Sequence, residues 1–121
     1  SNLEAQLNAI GASLQDLKSC QLKKLHASIL TPGFTFDVIT YGDAWISSLP
    51  TVPEAKLAYK SSMTPGTTSI DFDNQYTELS DYLKQPTFNI GLHGYNNVPI
   101  TTPIDMEADV VIHCSGTVGA H

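Results

Sequence analysis

Asp71-Phe72-Asp73-Asn74-Gln75 opens like a calcium loop, with carboxylates at the first and third positions. The sixth position is Tyr76, where the sharp turn needs Gly, and the twelfth is Tyr82, where a bidentate Glu is needed. A strand end followed by a helix cap fits these residues better. His113 adjoins Cys114, with His93 one strand earlier, so imidazole and thiolate ligands come close in sequence. Adjacent residues on a strand point to opposite faces, however, so His113 and Cys114 do not share one ion, and His113 reads as a surface histidine. Asp105, Glu107 and Asp109 recur at every second position. Paired carboxylates carry out glycoside hydrolysis, but a run of them on one strand face reads as a solvated outer surface. There is no G-x-S-x-G and no Gly-rich phosphate loop, and nothing sets a Cys beside a His and a carboxylate. The expectation is a protein that is not an enzyme, with no cofactor and no metal.

The aromatic residues offer binding instead. Trp45 lies out of phase with Ala44 and Ile46, so it is either exposed or part of a second layer. With Tyr41, Tyr59 and Tyr95 it suggests a platform for stacking against a sugar. Residues 94–99 read as a loop in which Tyr95, Asn96 and Asn97 present a ring and amides; residues 49–53 form a second loop, stiffened by Pro50 and Pro53. Trp45, Tyr95, Asn96 and Asn97 are the candidate binding residues. Cys20 and Cys114 stand near opposite ends of the chain, and their even number leaves one disulfide and two buried thiols both open. Neither has a second ligand at C-x-x-C spacing.

Strands must position these groups. In residues 101–114, Ile104, Met106, Ala108, Val110, Ile112 and Cys114 alternate with Asp105, Glu107, Asp109 and His113. That is the pattern of a half-buried antiparallel strand crossing a whole sheet, with its apolar face in the core. Ile29, Ile70, Phe72, Ile90 and Leu92 are expected to join it there. Earlier strands are predicted over residues 21–31, 42–48, 55–61, 67–73 and 87–94, punctuated by Pro32-Gly33, Pro50, Pro53 and Pro65-Gly66. Residues 3–18 read as a helix from Leu3, Leu7, Ile10, Leu14 and Leu17, weakened by Gly11. A short second helix is predicted over residues 75–84, capped by Asp73-Asn74 and closed by Pro86. The boundaries are an N-terminal helix over 1–18, a sandwich over 19–116 and a tail over 117–121.

At 121 residues the chain is one domain. Its net charge is −6, with 12 acidic against 6 basic side chains, which argues against nucleic acid or an anionic membrane as partner. Charged residues are only 15% of the total, and Ser, Thr and Asn fill the gap, as in extracellular all-β modules. No apolar run approaches the ~18 residues of a transmembrane helix. Ser1-Asn2 reads as the remnant of a cleaved affinity tag, which places the native start and any export signal outside these residues.

Three pieces carry a resemblance. Leu17-Lys18-Ser19 runs into Leu22-Lys23-Lys24-Leu25 and ends Ile29-Leu30-Thr31-Pro32. Trp45-Ile46-Ser47-Ser48 precedes Leu49-Pro50 and Ala55-Lys56-Leu57-Ala58. Thr68-Ser69-Ile70-Asp71-Phe72-Asp73 is followed by Leu79-Ser80-Asp81-Tyr82-Leu83-Lys84 and Phe88-Asn89-Ile90. In order and spacing, over residues 17–114, the chain resembles small exported bacterial proteins, often lipoproteins, with a single β-sandwich domain of unknown function. It departs from them at Gly42-Asp43 and over residues 95–99. The resemblance implies export to the periplasm or outer cell surface, with a lipid anchor in a removed N-terminal segment, and it transfers no site residues.

The resulting expectation is an all-β protein: an immunoglobulin-like antiparallel β-sandwich with an N-terminal helix and one short internal helix. Its expected function is that of a non-enzymatic exported binding or structural module. Its partner would be a protein or glycan at the cell surface. The alternative is a carbohydrate-binding module using Trp45 and the tyrosines.

Overall fold

Strand β1 (Leu17–Ile29) organises the molecule, which is seen in a computed structural model describing residues 2–96 and 99–117. β1 buries Leu17, Cys20, Leu22, Leu25, Ala27 and Ile29. Simple alternation cannot put all of these on one side. The register against the neighbouring strand shifts between Leu17 and Ser19 and again between Leu22 and Lys24. Each shift absorbs one extra residue and resets the alternation, so apolar residues before and after it face the same core.

The N-terminal helix is shorter than residues 3–18. Helix α1 (Asn2–Ala9) ends in a Schellman motif: Gly11 N–H donates to Asn8 O at 3.2 Å and Ala12 N–H to Leu7 O at 2.9 Å. Gly11 sits at φ +79°, a conformation that costs glycine little. Ser13 N–H then donates to Asp16 Oδ2 at 2.8 Å, fixing a 3-10 turn at Leu14–Asp16, and the chain enters β1 at Leu17. Leu3 and Leu7 still pack on the core, as helical spacing predicts.

A second 3-10 turn (Phe36–Val38) buries Phe36 and leads into β2 (Ile39–Ser48), which turns back as β3 (Val52–Lys60). β3 buries both Leu57 and Ala58, although alternation predicts Ala58 beside Lys56 on the other face. The pairing steps from Ala44–Ala58 to Trp45–Lys56, leaving Leu57 as the extra, bulged residue. The strand expected over 67–73 divides into β4 (Ser69–Asp71) and β5 (Asp73–Asn74), which pair with β1 and β3 respectively. Phe72 stands at the crossing, its N–H donating to Leu25 O at 2.9 Å.

The second helix is only α2 (Ser80–Leu83). Residues 75–79 are tied to β-structure instead. Tyr76 N–H donates to Asn74 Oδ1 at 2.7 Å, and Leu79 N–H donates to Cys20 O at 2.8 Å. β6 (Asn89–Asn96) and β7 (Met106–Gly116) complete the chain.

The strands form a three-stranded sheet, β4-β1-β7, packed on a four-stranded sheet, β5-β3-β2-β6, with antiparallel pairing throughout. This is the all-β sandwich expected. The crossing at Phe72 closes one side. On the other side β7 and β6 are both edge strands among the described residues.

That placement corrects the reading of the last strand. Ile112 and Cys114 are partly buried against the main core and Ile104 against a second cluster, so the apolar face does turn inward. Met106 and Val110 are nevertheless 41% and 37% exposed, and Ala108 and Leu92 are exposed too. Alternation identifies the face of a strand but not how many neighbours it has, and among the described residues β7 pairs with β1 alone.

Candidate functional site

The outward positions of β2 are Tyr41, Asp43, Trp45 and Ser47, alternating with inward Gly42, Ala44, Ile46 and Ser48. Pairing sets Tyr95, His93 and Gly91 of β6 beside Tyr41, Asp43 and Trp45. On the other side, Lys56 of β3 lies beside Trp45, and Tyr59, half-buried, beside Asp43. Three strands thus deliver side chains to one face.

Asp43 is the hub. It is only 3% exposed although it points away from the core, because its neighbours roof it. Trp45 Nε1–H donates to Asp43 Oδ1 at 3.0 Å. His93 Nδ1 lies 3.5 Å from the same oxygen, and Lys56 Nζ lies 4.0 Å from Oδ2. A carboxylate removed from water needs such partners, since an unpaired buried charge costs several kcal/mol. Lys56 Nζ also donates to Tyr41 Oη at 3.2 Å and sits 5.7 Å and 5.6 Å from the Tyr41 and Trp45 ring centroids. The Tyr41 hydroxyl, with Asp43 adding to it, holds the Lys56 ammonium above the ordinary lysine range, against the opposing pull of desolvation. The ammonium is therefore a fixed cation between two rings.

The aromatic row continues outward. The Tyr41 and Tyr95 rings stand 5.5 Å apart and tilted by 57°, and Tyr95 is 55% exposed. The Trp45 indole lies 6.5 Å from the His93 ring. Beside Trp45, Gly91 presents no side chain, and a Cβ built there would meet nothing within 4 Å. The face thus has a half-buried indole, an exposed phenol, an imidazole and an ammonium, with a vacant shelf at Gly91.

Trp45 and Tyr95 therefore stand on one face, linked through Tyr41 and Lys56. Asn96 is exposed beside Ile39 at the end of β6. Residues 94–96 belong to that strand and not to a loop, which corrects the expected connection; Asn97 lies outside the described residues. Asp43, His93 and Lys56 were not singled out together by the sequence. The signal that finds them is the shared phase of Tyr41, Asp43 and Trp45, joined to that of His93 and Tyr95.

The other candidate chemistry is dispersed. Cys20 and Cys114 lie directly opposite on β1 and β7 and are joined by a disulfide. Asp71 and Asp73 sit in different sheets, and His26 Nδ1 bonds Asp71 Oδ1 at 2.7 Å, holding that carboxyl below its usual range. Asp105, Glu107, Asp109 and His113 are exposed. Among the described residues no three His, Cys, Asp or Glu side chains gather as a metal site. An apolar cavity of about 110 Å³ opens between the sheets at the unclosed side, lined by Phe36, Ile39, Met63, Phe72, Leu92 and Met106 among others. It is small beside the roughly 300–1,000 Å³ of ligand pockets. No family model, curated protein or solved structure matches the chain.

Proposed function

We propose that this chain is a non-enzymatic, exported binding module whose ligand surface is the outer face of β2 and β6, and that its ligand is a carbohydrate. The observation that carries the reading is the gathering of Trp45, Tyr41 and Tyr95 with Lys56 and His93 around Asp43 on one accessible sheet face. A sugar ring has apolar C–H faces and a polar rim. Aromatic side chains take the first, while ammonium, imidazole and phenol groups hydrogen-bond the second. The shelf at Gly91 leaves room for a ring beside Trp45.

Trp45, Lys56 and His93 already engage Asp43 beneath the sheet face, which suits orientation of the indole better than proton transfer. The Cys20–Cys114 disulfide supports export to an oxidising compartment. The resemblance to exported bacterial lipoproteins supports the same compartment. The division into three and four strands supports the immunoglobulin-like variety of sandwich.

A glycan array probed with the oxidised protein tests the proposal. Trp45→Ala and Tyr95→Ala are expected to abolish or strongly weaken any signal while circular dichroism shows the fold retained. An array on which the wild-type protein binds nothing, or binds equally well without Tyr95, overturns it.

A further inference from the structure

We infer that β7 is the surface through which two copies of this chain associate, antiparallel and edge to edge, about a two-fold axis at Val110 or Val111. The inference is independent of the carbohydrate reading, which concerns the outer face of the other sheet.

β7 is 11 residues long and its ladder runs without interruption, since both register shifts in its pairing place the extra residue on β1. Leu30 N–H donates to Asp105 O at 2.8 Å. Antiparallel ladders alternate, so Glu107 and Asp109 also turn their backbone groups toward β1. Met106, Ala108 and Val110 turn theirs away, toward the free edge. Natural edge strands are blunted by proline, lysine, bulges or short length. From Met106 to Gly116 there is no proline, lysine or bulge, and Val110 and Val111 are 37% and 47% exposed.

Charge then selects the partner and its register. An axis at Asp109 would set that carboxylate against its own copy, and an axis at Ala108 would set Glu107 against Asp109. Like charges directly opposite are destabilising. Moving the axis to Val110 places Glu107 opposite His113 of the second copy, twice, with Val110 on Val110 and Ala108 opposite Ile112. Moving it to Val111 gives Asp109 opposite His113 instead. In both registers the outward-facing backbone groups meet one another, and each acid meets an imidazole in a non-hydrogen-bonded pair, where side chains are closest. An axis perpendicular to the sheet keeps both inner faces on one side. The joined sheet β4-β1-β7-β7-β1-β4 would then shelter the unclosed side of each sandwich, where Met106 and Leu92 are exposed.

Sedimentation of the oxidised full chain from micromolar to millimolar concentration tests the inference. The expected result is a reversible monomer–dimer equilibrium. Val110→Pro, which removes an outward N–H, should weaken it, and His113→Glu should weaken it on the order of tenfold. Combining His113→Glu with Glu107→Lys, or with Asp109→Lys for the second register, should restore it. Thermal unfolding checks each variant, and the exposed His113 position carries the test if the proline variant unfolds. A protein that stays monomeric, a dimer indifferent to His113→Glu, or restoration by neither charge exchange overturns the inference.

Discussion

Trp45 donates its indole N–H to Asp43 at 3.0 Å, two residues back on the same face of β2. That bond fixes the edge of the indole and also satisfies an oxygen that His93 approaches at 3.5 Å. The site is organised by a carboxylate that is itself almost inaccessible.

Asp43→Ala should therefore release Trp45, Lys56 and His93 together. Removing the acceptor takes the partner from the half-buried indole N–H and from the partly exposed Lys56 and His93, at a cost of about 1 kcal/mol. Trp45 is the only tryptophan of the chain, so its fluorescence reports the change directly. The expected outcome is a red-shifted native emission and a lowered urea midpoint. Asp43→Asn keeps an oxygen for the indole N–H and should lie between the two. Unchanged native emission in Asp43→Ala would show that the hydrogen bond does not hold the ring.

How much of this was legible in the sequence depended on distance along the chain. The sandwich and the outward phase of Trp45 follow from local alternation. The pairing of Lys56 with Trp45 depends on a bulge at Leu57, a property of two strands together. Tyr95 and Asn96 sit among Gly and Asn, which are turn formers, yet pairing with Tyr41 and Ile39 keeps them in a strand. The two cysteines could not be paired by counting; their register across β1 and β7 does it. The apolar face of β7 was legible, but not its position at an edge.

Edge and centre should differ in stability. Leu25, 1% exposed at the middle of β1, is enclosed by both sheets, so Leu25→Ala should cost about 2–5 kcal/mol through lost transfer energy and a cavity. Val110 faces the same interior but keeps 37% of its surface, so Val110→Ala should cost roughly 1 kcal/mol or less. Denaturant melts of the oxidised proteins at low micromolar concentration compare the two. Equal losses would mean that β7 is buried in solution by something more than β1.

Glu78 makes stability depend on acid. Desolvation, the largest single influence on its carboxyl, pushes the pKa up, but hydrogen bonds together outweigh it and bring the group down from 4.5 to about 2. Ser19 hydroxyl donates to Oε1 at 2.7 Å, and the N–H groups of Cys20 and Ser80 donate to Oε2 at 2.8 Å and 2.9 Å. The carboxylate thus joins the start of α2 to β1. Because the folded pKa lies below the unfolded one, the stabilisation is complete above about pH 4.5 and is lost as pH falls toward 2. Glu78 is a solvent-exposed residue, and screening reduces the effect to about 1 kcal/mol. Glu78→Gln should lower stability at pH 7 and flatten the decline between pH 4.5 and 2, which urea midpoints at pH 7 and pH 3 measure. Equal losses between these pH values in wild type and Glu78→Gln would assign the acid sensitivity to other groups, such as Asp71 beside His26.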